Sequence, residues 1–303
     1  MLVRMVLLMG LVLNAAPLRA AEKPRFPDVS QLGRLFVASL TNAPFPHASR
    51  TNGHTYQGVA YPAAKHYADG STAFFVPRGL ELGTEIDVIV HFHGWRNSIA
   101  GAARDFDLVS QFAASRRNAV LILPEGPLNA PDSSGGKLEE PGGFARFMAE
   151  AMAALKANGV SGDARLGRVI LSGHSGAYRV ISAIVQSGGL PEAVRELYLF
   201  DALYGQTDRF QRWFESAPDR RLVVIYADTG GTLEETKKFI TTMGARKTAP
   251  LITEEPAVSD LQLRTNHLVI LHSSKGHNEV LSTGGNFRRF LETGALDPVS
   301  AAE

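Results

Sequence analysis

The sequence predicts an α/β domain built on a central, mostly parallel sheet of eight strands with helices on both faces. Two observations predict it. Short apolar runs bounded by turn residues recur along the chain, and from about residue 86 onward they alternate with segments of helical periodicity, the pattern of parallel strands joined by crossover helices. A chain of 303 residues with 45% hydrophobic content can also bury one large core. No internal repeat, low-complexity tract or linker divides it.

In chain order, strands are predicted near 56–61, 72–77, 86–92, 119–123, 168–173, 195–200, 221–227 and 268–272. Helices are predicted near 100–115, 143–158, 176–187, 207–216, 232–243 and 286–293. The first strands have no helices between them, which predicts an antiparallel edge; the later ones alternate with helices and predict parallel pairing. Two connections, 126–143 and 244–267, are longer than compact domains usually tolerate without a role. The first is expected to border a cleft, and neither carries the amphipathic helices of a developed lid, so an open site is expected.

Residues 1–20 differ in character from the rest. Arg4 supplies a positive start, Val6 to Val12 an apolar stretch, and Leu18-Arg19-Ala20 a small residue for cleavage before Ala21, the layout of a secretory signal, with an uncleaved anchor as the alternative. The chain then divides into a signal over 1–20, an N-terminal extension over 21–54, one domain over 55–296 and a C-terminal tail over 297–303. Export to a periplasmic or extracellular compartment is the expectation. With no cysteine in the chain, the protein would rely on its core and not on disulfides there. The chain has 31 Lys and Arg against 30 Asp and Glu; removing 1–20 takes away Arg4 and Arg19 and no acid, so the net charge moves from +1 to −1. That balance gives no electrostatic reason to expect a nucleic acid or an anionic membrane as partner. No membrane insertion is expected after signal cleavage, and the oligomeric state stays open.

The chemistry is concentrated in Gly173-His174-Ser175-Gly176-Ala177, which comes after the apolar run Arg168 to Ser172 and before a helical stretch from Tyr178 to Gln186. A strand, a tight turn carrying a serine and a helix form a nucleophile elbow. Its small residues two before and two after the serine are required because the turn brings strand and helix close together. A serine hydroxyl needs a base, an acid that orients the base, and donors for an oxyanion. Upstream, the strand Glu85 to Phe92 runs into His93-Gly94-Trp95-Arg96-Asn97. There Gly94 lets the backbone approach closely and Trp95 offers an N–H that, with the N–H of Gly176, makes a two-donor oxyanion hole. Downstream, Leu268 to His272 reads as a last strand, and His277 lies on the loop after it.

These pieces, His93-Gly94-Trp95, Gly173-His174-Ser175-Gly176-Ala177 and Gly276-His277 in that order, resemble the α/β-hydrolase superfamily. The resemblance covers roughly residues 55 to 295, nearly the whole mature chain. The elbow departs from the superfamily's usual pattern in ending on Ala177 in place of Gly, and Tyr178 is an unusual neighbour. The resemblance implies the α/β-hydrolase fold and an acid after one of the strands beyond the elbow. Asp201, closing the strand Glu196 to Phe200, is the first choice; Asp228, closing the strand Leu222 to Ala227, is the alternative.

The site expected from residues and resemblance together is Ser175 as nucleophile, His277 as base, Asp201 or Asp228 as acid, and Gly94, Trp95 and Gly176 at the oxyanion hole. His93, Arg96, Asn97 and Glu125 are candidate substrate contacts at strand ends that face the cleft; His93 is also read as holding the oxyanion turn. His91, which alternates with His93 on one strand, is read as a packed strand histidine in preference to a metal ligand beside His93 and His272 or His277. His174 is read as structural. The expected function is an exported serine hydrolase cleaving a carboxylic ester on a small-molecule or polymer-linked acyl substrate, with neither metal nor organic cofactor. Peptidases, amidases and acyl transferases use the same parts, and a non-catalytic binding protein on the same fold is the alternative from another class.

Overall fold

Among the described residues, runs of four to ten residues, apolar and buried at the centre and half-exposed at the two edges, produce nine strands of one sheet. The computed structural model describes residues 26–246 and 249–300, so the secretory segment expected over 1–20 lies outside the described residues. The strands among the described residues are β1 (Gly33–Ser39), β2 (His54–Tyr56), β3 (Val59–Tyr61), β4 (Ser71–Pro77), β5 (Glu85–Phe92), β6 (Ala119–Pro124), β7 (Arg165–His174), β8 (Val194–Phe200), β9 (Arg221–Ala227), β10 (Leu251–Glu254) and β11 (Leu268–Ser273). Of these, β2 and β3 form a separate hairpin. The sheet order of the rest is β1-β4-β6-β5-β7-β8-β9-β11-β10. The β1–β4 and β4–β6 pairs are antiparallel and every other pair in this sheet is parallel.

Three expectations change. The sheet has nine strands, not eight. The segment 56–61 is not one of them, because Gln57 and Gly58, both at positive φ (48° and 77°), turn the chain back on itself as a two-residue hairpin loop. And β1 falls inside the stretch expected to be an N-terminal extension, where it covers the edge of β4 from Gly33 opposite Pro77 to Ser39 opposite Ser71. At the other end, the described part of the expected tail is docked: Val299 N–H donates to the Arg116 carbonyl at 2.8 Å, and Arg117 pairs with Pro298.

Successive strand residues point to opposite faces, so one sheet feeds two cores. Val88, Val90, Leu171, Leu197 and Leu199 join one apolar cluster under the helices Gly143–Ala157, Tyr178–Ser187 and Thr207–Glu215. Ile89, Ile170, Tyr198 and Phe200 join the other, under Ile99–Asp105, Leu108–Ser115 and Asn286–Glu292. The helix predicted over 100–115 is two, broken at Asp107, whose φ is 49°. Among the described residues no helix is long and apolar enough to cross a membrane. The strand order reverses at β5, which lies between β6 and β7 although β6 comes after it in the chain. Connections leave such a point toward opposite faces, opening a crevice beyond the C-terminal ends of the strands.

Candidate active site

The segments leaving the C-terminal ends of the parallel strands line the crevice. Ser175 comes directly after β7, at φ 55° in a single 3-10 turn (Ser175–Ala177) that leads into the helix Tyr178–Ser187. A non-glycine residue held in the left-handed region costs on the order of 1–3 kcal/mol and persists only where its surroundings impose it. The imposition is visible in the neighbours. A Cβ on Gly173 would meet the Ala177 Cβ at 2.6 Å and the Ile181 Cδ1 at 2.7 Å, so strand and helix leave no room two residues before the serine.

The turn after β5 packs directly on the elbow. A Cβ on Gly94 would lie 2.7 Å from the Ser175 Cβ and 3.0 Å from the His174 carbonyl oxygen, and one on Gly176 would lie 2.5 Å from the Trp95 Cδ1. The Trp95 indole N–H donates to the Ser133 hydroxyl at 2.7 Å, and the ring meets Tyr56 edge-on at 5.2 Å. Ser133 belongs to the long connection after β6, which does border the crevice. A cavity of about 170 Å³ lies against Ser175, lined by Trp95, Ser133, Gly176, Tyr178 and Tyr204.

Of the two aspartates, the structure brings Asp201 to His277. His277 Nδ1–H donates to Asp201 Oδ2 at 2.6 Å, and Asp201 is fully buried at φ 43°. The Ala227 N–H and the Thr232 hydroxyl donate to its other oxygen. Asp228 is exposed and accepts from His272 Nε2 at 3.1 Å, 44 residues away in the chain. The Nδ1 bond fixes the His277 tautomer and leaves Nε2 to receive a proton. Among the described residues no hydrogen bond yet joins the Ser175 hydroxyl to His277; such bonds are commonly longer in a resting site than in its complex.

None of the four expected substrate contacts is among the residues that line the cavity against Ser175. His93 and Glu125 are buried and paired, Nε2 to Oε1 at 2.9 Å, with His93 Nδ1–H donating to the Gly94 carbonyl at 2.7 Å and the Ile99 N–H donating to Glu125 at 3.2 Å. Together they tie the Gly94 turn to the start of a helix and do not line the cavity against Ser175. Burial alone would push the His93 imidazole down, but the hydrogen bond and charge of Glu125, with the Gly94 carbonyl, hold it above its usual value. Arg96 is an exposed turn residue at φ 55° whose N–H donates to the Ala130 carbonyl. Asn97 spends its side-chain oxygen on the Ser98 N–H at 2.8 Å. Neither is among the residues that line the cavity; the Arg96 N–H and the Asn97 carbonyl instead tie this turn to Ala130 and Asn129 on the connection after β6. His91 is buried, bonded to the Ser172 hydroxyl at 2.9 Å, and pushed down to about 3 by burial and by His174 and His93.

Sequence reasoning missed three supports. His174 Nε2–H donates to the His277 carbonyl at 3.0 Å and the two rings lie 4.5 Å apart, so the residue before the nucleophile holds the base. Glu255 accepts from Ser273, Lys275 and Asn286 and so anchors the loop that carries His277. Gly230 lies over the Asp201–His277 bond: a Cβ there would overlap Asp201 Oδ2 and lie 2.7 Å from His277 Nδ1. No motif prescribes the residue types of His174 and Glu255, so the sequence held no signal for either. Gly230-Gly231, in a loop directly after a strand, was a visible sign of close backbone approach.

No protein-family model and no curated protein matches the sequence. Solved structures do match the fold. The feruloyl esterase module from Clostridium thermocellum, solved with sinapinate, aligns over 91% of this chain and 93% of its own, with a TM-score of 0.54 at 11% identity. The chain has the α/β-hydrolase fold. A second match, FphF, a fluorophosphonate-binding serine hydrolase from Staphylococcus aureus, aligns over 87% of this chain and all of its own, with a TM-score of 0.51 at 8% identity.

Proposed function

We propose that the protein is a serine hydrolase that cleaves carboxylic esters, with Ser175 as nucleophile, His277 as base and Asp201 as the orienting acid. The observation that supports it most is the conjunction at one crevice of a serine held at φ 55° and a histidine bonded through Nδ1 to a fully buried aspartate. The feruloyl esterase module and FphF are an esterase and a serine hydrolase, which supports the same class.

In this reading the Ser175 Oγ attacks the acyl carbon while His277 Nε2 takes its proton, and Asp201 stabilises the imidazolium without itself being protonated. The carbonyl oxygen becomes an oxyanion that the Trp95 and Gly176 N–H groups receive. His277 returns the proton to the leaving alcohol, and water then attacks the acyl-enzyme by the same route in reverse. Among the described residues no carboxylate or cationic side chain lines the cavity, and three of its residues are aromatic, so the acyl group it takes is small and uncharged. The segment 1–20 is proposed to direct export.

Incubation with a fluorophosphonate, followed by mass spectrometry, tests the reading. An adduct on Ser175 is expected, and it should be absent from Ser175→Ala and His277→Ala. A folded protein that gives no adduct, or an adduct elsewhere, would overturn it.

A further inference from the structure

Tyr204 is the residue whose contacts the proposed reaction does not use. It lies on the turn that begins with Asp201, its ring forms part of the cavity wall, and it meets His277 edge-on at 6.4 Å. Its hydroxyl donates to the carbonyl oxygen of Gly230. Gly230 is the residue whose backbone covers the Asp201–His277 hydrogen bond, so tightly that no side chain fits between. The loop from Ala227 to Thr232 therefore wraps Asp201 on three sides, through the Ala227 N–H, the Gly230 backbone and the Thr232 hydroxyl. The middle of that wrap is free to lift unless something outside the loop holds it. Gly230 and Gly231 are the most permissive residues available, and Gly231 has φ 87°. Tyr204 supplies such a hold through its bond to the Gly230 carbonyl.

We propose that Tyr204 is a positioning residue for the acid–base pair, acting through the Gly230 carbonyl to keep water off the Asp201–His277 hydrogen bond. The physical reason is the local dielectric. A carboxylate–imidazole bond shielded by backbone is stronger and better oriented than one that exchanges with solvent. The phenol suits this task because it remains a donor over the whole working range: burial, and then the charge of Asp201, push it up to about 12 against a smaller lowering by the Ser175 hydroxyl. The inference deepens the proposed function and rests on it for its kinetic part only.

Tyr204→Phe keeps the ring and removes the single donor. With p-nitrophenyl acetate as substrate, kcat should fall about tenfold while KM stays within about twofold, the loss expected of one orienting hydrogen bond. A residue that only walls the cavity would instead raise KM and leave kcat alone. The second readout is the far-downfield proton resonance of His277 Nδ1–H, recorded on the resting protein. In Tyr204→Phe it should move upfield and exchange faster with water, while the circular dichroism spectrum stays that of the parent. An unchanged resonance would overturn the proposal, and so would an unchanged kcat. Because the resonance reads the bond without turnover, a parent protein that shows the resonance but hydrolyses no ester would sink the proposed function and leave the role of Tyr204 still decided by the variant's spectrum.

Discussion

The ring of His174 lies 4.5 Å from the ring of His277, and its Nε2–H donates to the His277 backbone carbonyl at 3.0 Å. The elbow and the base loop are thus joined through the residue that precedes the nucleophile, 103 positions away from its partner in the chain. Burial and the neighbouring His277 push His174 down to about 4, so at neutral pH it is an uncharged donor.

His174→Phe should retain the ring contacts with Phe106 and His277 and lose only the hydrogen bond. The net worth of such a bond is about 1 kcal/mol, so kcat/KM for ester hydrolysis should drop roughly five- to tenfold with the melting temperature little changed. A variant that keeps full kcat/KM would show that the His277 loop is held by Glu255 and its partners alone.

Asp201→Asn and Asp228→Asn separate the two candidate acids. The first should lower kcat on the order of 10⁴-fold, because an amide cannot hold His277 in the tautomer that accepts the serine proton. The second removes an exposed carboxylate bonded to His272 and should leave kcat unchanged. Steady-state kinetics of both variants on one chromogenic ester checks this, and the reverse order would transfer the acid's role to Asp228.

The central strands were legible because their residues are apolar on both faces and end in turns, and β5, β7, β8, β9 and β11 all lie close to where the apolar runs predict them. The edges were not. In β1, half-buried and exposed positions mix along Gly33–Ser39 and none is buried, and β10 is only four residues long, so neither stands out from a loop. At the site, Ser175, Gly94 and His277 come from local patterns that a turn or a close approach demands. The choice between Asp201 and Asp228 needed the path of two loops, and Tyr204 and His174 act through contacts between segments distant in sequence, which no spacing encodes; Gly230-Gly231 signalled a close approach of the backbone but not to what. Glu125 misled for the same reason: its strand end faces the crevice, but its side chain is turned toward His93 and Ile99.

Gly94→Ala tests the oxyanion turn. The added methyl group would press on the Ser175 Cβ and the His174 carbonyl, and the turn must move away from the elbow to accept it. Displacing one donor costs about 2.7–4 kcal/mol of transition-state stabilisation, so kcat should fall roughly 10²- to 10³-fold. Ser175 and His277 keep their identity, and because the turn is the part that gives way, the protein should still fold. Ester turnover at the parent rate would mean that the Trp95 N–H is not a donor to the oxyanion.

The buried histidines predict how stability depends on pH, with opposite signs on the two sides of neutrality. His91 and His174 are pushed down to about 3 and about 4, so between pH 6.5 and 4 the unfolded chain binds protons that the folded one refuses. Stability from these two is complete above the unfolded value and is lost as pH falls. Near pH 5 both differ by close to a full proton between the states, giving a slope of about 2.7 kcal/mol per pH unit. The carboxylates held low, Asp132, Glu150 and Glu255, join only nearer pH 4. His91→Asn, which keeps an amide near the Nδ1 position bonded to Ser172, should halve the slope to about 1.4 kcal/mol per unit. His93 acts the other way. Its folded value is raised, so its contribution is complete below pH 6.5 and is lost as pH rises through the folded value. In Glu125→Gln burial is no longer opposed by a carboxylate, and the decline above neutrality should shrink to the part due to His272, which Glu254 and Asp228 also hold above its usual value. Urea unfolding midpoints from pH 5 to 9 for the parent and both variants measure all three slopes. A parent protein whose midpoint is flat from pH 6.5 to 5 would show that His91 and His174 are not held neutral in the folded state.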